Sequence, residues 1–185
     1  MLLVLIYIFL YENKYSECHI KGIPEKFSLH FKNKKKINEE VYNNLLCEGF
    51  EQIKVKDDKL NNKINIYVKE KYFMYEIYLI IEMSEFDISK IIETVNLVYC
   101  ELKKRSKINH DYILTNIIMV DKATKNYDDF FSNCIEQKKG RYYLPVGINI
   151  NAKELIIPMQ KEKLYIKRYN LMKMNMKNLL KKFIK

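Results

Sequence analysis

Glu76-Ile77-Tyr78 is the stretch of this chain nearest to a catalytic pattern. An acid and a lysine two residues apart on a strand share one face. There the carboxylate can hold a divalent metal and the ammonium can position an attacking water. Here Tyr78 stands where the lysine should be, and the strand before it, Lys63-Ile64-Asn65-Ile66-Tyr67, has no acid. Asp57 and Asp58 fall in the turn that precedes that strand. Glu76 is thus a residual-site candidate only, and the expectation is no catalytic residue, no metal and no cofactor. Asp121 is the second candidate, because it follows the apolar run Ile113 to Val120 and ligands of open α/β sheets lie beyond the carboxyl ends of strands. An ordinary turn aspartate would look the same. Gly22, Gly49, Gly140 and Gly147 are isolated, so no phosphate-binding loop is present, and His19, His30 and His110 have no zinc-ligand or triad spacing. Cys18, Cys47, Cys100 and Cys134 form no C-x-x-C pair and read as small buried hydrophobes in a reducing compartment.

Charge offers a different kind of site. The net charge is +10, and residues 161–185 hold nine basic side chains against Glu162 alone, a local +8 that leaves about +2 for the rest. Tyr165, Tyr169, Met172, Met176, Leu179, Leu180 and Phe183 recur at helical spacing, with Lys167, Arg168, Lys173, Lys177, Lys181 and Lys182 mostly opposite. Such a helix can pack on a core and leave its charges in solvent, lie on an anionic membrane surface, or contact nucleic acid. The six basic residues are the candidates for membrane or polyanion contact.

The elements around these residues follow from hydrophobic period. Tyr72 to Ile81 is nearly all apolar or aromatic and reads as a strand buried on both faces. Ile88, Ile91, Ile92, Val95, Val98, Tyr99 and Leu102 share one helical face, with Ser84 and Asp87 as a start signal. Ile113 to Val120 is the next strand, so the unit is a crossover between parallel strands. Earlier, Lys34-Lys35-Lys36 reads as a solvated loop, and Asn38 as the cap of a helix with Val41, Leu45 and Leu46 buried and Gly49 closing it. Strands follow at Phe50 to Lys56 and Lys63 to Lys69; the alternation of Ile64, Ile66 and Val68 with polar residues gives the second one wet face. Asn126 caps a helix with Phe130, Phe131, Cys134 and Ile135 inward. Pro145 and Gly147 push the strand Tyr142 to Ile150 toward a sheet edge, and Leu155-Ile156-Ile157 makes a last strand stopped by Pro158. Met1 to Tyr11 is apolar but too short for a span, which needs about 20 residues; it reads as a core strand or helix, with a signal or anchor, or a mis-assigned start, as the alternatives. The expected architecture is one α/β domain, residues 1–160, with a mixed sheet of about five or six strands flanked by helices, and a basic amphipathic helix over residues 161–185.

The order helix, three antiparallel strands, helix, strand, helix, strand resembles the core of restriction-endonuclease-like folds, here with a degenerate active site. A second resemblance covers roughly Asp87 to Pro158. The helix from Asp87 to Arg105, the strand Ile113 to Val120, Tyr127-Asp128-Asp129-Phe130-Phe131, Lys139-Gly140, Val146 to Ile150 and the Leu155-Ile156-Ile157-Pro158 end resemble the cytosolic N-terminal domain of rhomboid intramembrane proteases from low-GC Gram-positive bacteria. That resemblance implies a soluble, non-catalytic, regulatory domain placed before the first membrane span. The chain has no Gly-x-Ser-Gly nucleophile, so it is not expected to carry proteolysis. The expected function is a cytoplasmic regulatory or interaction domain. Its partner would be an anionic membrane surface or a membrane protein. Nucleic-acid binding, or a degenerate nuclease, is the alternative.

Overall fold

A computed structural model describes residues 18–20, 24–53, 64–71, 74–104, 111–133, 135–138, 141–158 and 166–185. The apolar segment Met1 to Tyr11, Cys134 and the turn Asp57 to Asn62 lie outside the described residues. Among the described residues the architecture is α/β, with a mixed sheet between two pairs of helices.

The sheet is built on β5 (Met74–Glu85). Its even-numbered apolar residues Tyr78 and Ile80 enter one core, and Ile77, Leu79 and Ile81 enter the other. A strand packed on both faces needs the near-continuous apolar run that the sequence has here. β4 (Ile64–Lys71) pairs antiparallel with β5 and β3 (Glu51–Ile53) antiparallel with β4. On the other side β6 (Asp111–Lys122) runs parallel to β5, and β8 (Arg141–Asn149) runs parallel to β6. The four-residue strands β7 (Ile135–Lys138) and β9 (Glu154–Ile157) share the outer edge of β8, and extend the sheet to β1 (Cys18–Ile20) and β2 (Glu25–Ser28). Among the described residues the sheet has nine strands rather than five or six. The additional strands include β1 and β7, which are too short to show an alternating pattern.

Helix α1 (Lys34–Cys47) and helix α4 (Ile166–Leu179) cover one face. Helix α2 (Ile88–Lys104) and helix α3 (Tyr127–Asn133) cover the other. Ile37, Val41 and Leu45 are the buried stripe of α1, while Leu46 is exposed. This helix starts four residues before the expected cap. Asn33 is the N-cap and its side chain accepts from the Lys36 amide, so the three lysines form the first turn instead of a loop. Gly49 takes the left-handed conformation after the helix, at φ 84°. Because α1 covers β4, the face expected to be wet is partly closed: Tyr67 is buried, whereas Asn65 and Lys69 are half-buried and Asn65 accepts an exposed hydrogen bond from Gln52 on β3. At α2 the cap is Asp87 alone, whose carboxylate accepts from the Ser89 and Lys90 amides, and Ser84 belongs to β5. Ile91, Val98 and Leu102 are buried, whereas Ile92 is 54% exposed. Cys47 and Cys100 are exposed rather than buried.

β8 corrects the strongest expectation of position. It is flanked on both sides, and Leu144, Val146 and Ile148 are fully buried. Pro145 is tolerated because β7 pairs only with Arg141 and Tyr142, and β9 only with Gly147 to Asn149. Residues 143–146 meet no paired strand on that side among the described residues, and the missing N–H of the proline costs no ladder bond there. Gly147 is required by its neighbours across the face. A Cβ there would stand 2.5 Å from the Tyr127 hydroxyl and 2.6 Å from Phe131 ring atoms.

Candidate functional site

The two candidate carboxylates sit on the face covered by α1 and α4, but at opposite ends of it. Glu76 and Glu82 lie six residues apart on β5, about 20 Å at strand rise, and Asp121 is beside Glu82. Glu76 accepts a 3.4 Å hydrogen bond from the Asn175 amide of α4. A lysine does stand opposite it, Lys69 on β4. Its ammonium, however, donates to the Glu48 carbonyl and lies 5.4 Å from the centre of the Phe50 ring. Tyr78, in the position a metal-site lysine would take, is buried; burial pushes its pKa far up, and the charges of Glu76 and Glu48 add to that. Burial likewise pushes Tyr67 up to about 12, helped by Tyr42. Both remain neutral phenols at physiological pH.

At the other end, Lys34 Nζ lies 3.1 Å from Glu82 Oε2 and 3.6 Å from Asp121 Oδ1. Asn38 Nδ2 donates to Glu82 Oε1 at 2.6 Å, and its own Oδ1 is buried without a hydrogen-bond partner. This cluster ties the first turn of α1 to the ends of β5 and β6. Sequence reasoning missed Lys34 and Glu82. Glu82 is the first charge after the apolar run of β5, which is the only local signal, and no spacing in the chain links it to Lys34. A lysine between two carboxylates is an internal ion cluster in which one cation is shared by two anions, leaving one net negative charge.

On the opposite face, the carboxyl end of β5 and the first two turns of α2 enclose an open cleft of about 770 Å³. Glu82, at its rim toward the ion cluster, and Glu85, Asp87 and Glu93 line it, with Lys90 as the lysine among them. Glu85 pairs with Lys122 at 3.1 Å and Asp87 caps α2, so two of these acids serve the fold. Among the described residues no three His, Cys, Asp or Glu side chains are grouped to hold a metal ion.

The six basic candidates separate once α4 is in place. Tyr169, Met172, Met176 and Leu179, with Leu180 and Phe183 just beyond, are buried in the core shared with α1, and Asn44 of α1 donates to the Leu179 carbonyl. The apolar stripe therefore faces the sheet. Lys173 and Lys177 pair with Glu25 at 3.2 and 2.9 Å, and Lys182 pairs with Glu40 at 2.5 Å. The Arg168 guanidinium stacks 4.6 Å from the centre of the Tyr142 ring. Lys181 is exposed, as is Lys185; the Lys167 side chain lies outside the described set. The outward side of the helix carries Leu171, 45% exposed, and Met174, 52% exposed.

No protein-family model, curated protein or solved structure matches the chain. Among the described residues no helix is long and apolar enough to cross a membrane.

Proposed function

We propose that the protein is a non-catalytic cytoplasmic regulatory domain that rests reversibly on an anionic membrane surface through the outer side of α4. It would act as the soluble part of, or a partner to, a rhomboid-type membrane protein. The observation that carries this reading is that Leu171 and Met174, both exposed on a helix with no acidic residue, are followed just past its end by the exposed Lys181 and Lys185. Shallow burial of two half-exposed apolar side chains contributes about 2 kcal/mol, taking part of the ~1.5–3 kcal/mol for full burial of each. Each lysine near an anionic leaflet adds about 1 kcal/mol. The total of about 4 kcal/mol corresponds to a partition constant on the order of 10³ M⁻¹. That is weak, reversible attachment, suited to a domain held near the bilayer by a second tether.

Flotation with phosphatidylserine-containing and pure phosphatidylcholine vesicles tests it. The protein should float with the first and not the second, less at high salt, and the Leu171→Ser/Met174→Ser variant should stay at the bottom. Failure to float with anionic vesicles, together with salt-sensitive retention of duplex DNA, would replace this reading with the nucleic-acid alternative. Metal-dependent nicking of that DNA would revive the nuclease-like one.

A further inference from the structure

Lys177 follows Met174 by three residues on α4, so the two side chains are neighbours along it, and the exposed Lys181 lies in the turn just past the helix. By position Lys177 belongs to the outer contact side. Its ammonium nevertheless turns inward. Nζ lies 2.9 Å from Glu25 Oε2 and 4.5 Å from the centre of the Phe27 ring, both on β2. Lys173, one turn earlier, places its Nζ 3.2 Å from the other oxygen, Glu25 Oε1. The two lysines differ in reach: the Lys173 side chain is 13% exposed and that of Lys177 is 40% exposed. One carboxylate thus holds two cations, one fixed and one able to swing outward. Burial pushes the Glu25 carboxyl up, but the hydrogen bonds and charges of Lys177 and Lys173 outweigh it and the net shift is downward.

We propose that Glu25 is an internal competitor for the anionic surface, holding Lys177 out of the contact side until a lipid headgroup takes the place of its carboxylate. The proposal rests on the membrane reading above. The exchange is inexpensive because Lys173 stays behind, so Glu25 is never left as an unpaired partly buried charge. The result is a domain whose resting surface is less basic than its composition suggests, and whose contact gains a charge only on an anionic bilayer.

The test compares Glu25→Gln with Glu85→Gln in the full chain. Both remove one negative charge; Glu85 pairs with Lys122 at the carboxyl ends of β5 and β6, away from α4. Binding to phosphatidylserine vesicles should tighten roughly fivefold in Glu25→Gln, the gain for one lysine near the surface, and stay near wild type in Glu85→Gln. Adding Lys177→Gln to Glu25→Gln should remove the gain. If Glu25→Gln unfolds, Glu25→Asp, which keeps the charge but shortens the arm, should show a smaller gain in the same direction. Wild-type binding with equal affinities for the Glu25→Gln and Glu85→Gln variants would overturn the role of Glu25 and leave the membrane reading standing. Absence of vesicle binding by wild type and Glu25→Gln alike would overturn both.

Discussion

Gly147→Ala is the sharpest perturbation the fold offers. The added methyl would lie 2.5 Å from the Tyr127 hydroxyl and 2.6 Å from two Phe131 ring atoms, about 0.9 and 0.8 Å inside the 3.4 Å at which ordinary contact begins. None of the three can yield alone. Tyr127 and Phe131 are one turn apart on α3, with ring centres 4.9 Å apart, and Phe86 packs edge-on to Tyr127 at 5.0 Å. Relief requires α3 to lift from the sheet, or β8 to sink between β6 and β9. Overpacking costs ~1–3 kcal/mol, and two rings against a central strand place this case near 3 kcal/mol. With a urea slope of about 2 kcal/mol per molar, the unfolding midpoint should fall by roughly 1.5 M. The Tyr127 hydroxyl supplies an internal check, since it is buried without a hydrogen-bond partner. Tyr127→Phe removes an unsatisfied group, so the single change should be neutral or stabilising by up to about 1 kcal/mol. In that background the cost of Gly147→Ala should drop by about 1 kcal/mol, because one of the three clashes is gone. A wild-type midpoint for Gly147→Ala, or strict additivity of the two changes, would refute the packing argument.

Met176→Ala should cost about 3 kcal/mol by urea unfolding, whereas Met174→Ala, two residues away and half-exposed, should stay within about 0.5 kcal/mol. Glu25 has a depressed folded-state pKa, so its contribution to stability is complete above the unfolded value near 4.5 and is lost as pH falls through the lower folded value. The difference in melting temperature between wild type and Glu25→Gln should therefore be constant at neutral pH and vanish in that acid window. A difference that persists below it would contradict the pairing. Cys47 and Cys100 are exposed, so at least two thiols should react with a thiol reagent without denaturant; none reacting would contradict the orientation of α1 and α2.

The sheet was legible where residues are buried on two faces and illegible where partners are distant. β5 announces itself because both layers of helices demand apolar side chains, and the parallel pairing of β6 follows from the helix between them. The start of α1 was misread because Asn33 and Asn38 are equally good caps by type; only the Asn33 side chain meets a free amide, while Asn38 reaches Glu82 forty-four residues away. β8 was misread for a different reason. Proline and glycine usually mark an edge, but here Pro145 sits in the gap between two short strands, and Gly147 makes room for Tyr127 and Phe131. Of the site candidates, Glu76 was visible as a carboxylate on a strand and Asp121 as one just past a strand, although β6 in fact includes it. Their partners Asn175 and Lys34 were not, since nothing local in the chain couples residue 76 to 175 or 121 to 34.

The basic helix shows how composition can mislead about which side of a segment is open to a partner. A charge of +8 over residues 161–185 together with an apolar stripe suggests an amphipathic helix that inserts its apolar side into lipid. The stripe is instead the lid of the core: Tyr169, Met172, Met176 and Leu179 close the face that α1 leaves open. Insertion by that side would require the core to open, and burial of four large side chains, at about 1.5–3 kcal/mol each, opposes it. What remains open to a partner is the other side of the helix, with two exposed apolar residues, and the exposed lysines just past its end. Three basic residues meanwhile neutralise Glu25 and Glu40 within the fold. Net charge sets the sign of the surface a partner must have, but internal pairing sets how much of that charge the partner can use. Changing the internal acids should therefore alter binding more than changing the same number of charges elsewhere on the molecule.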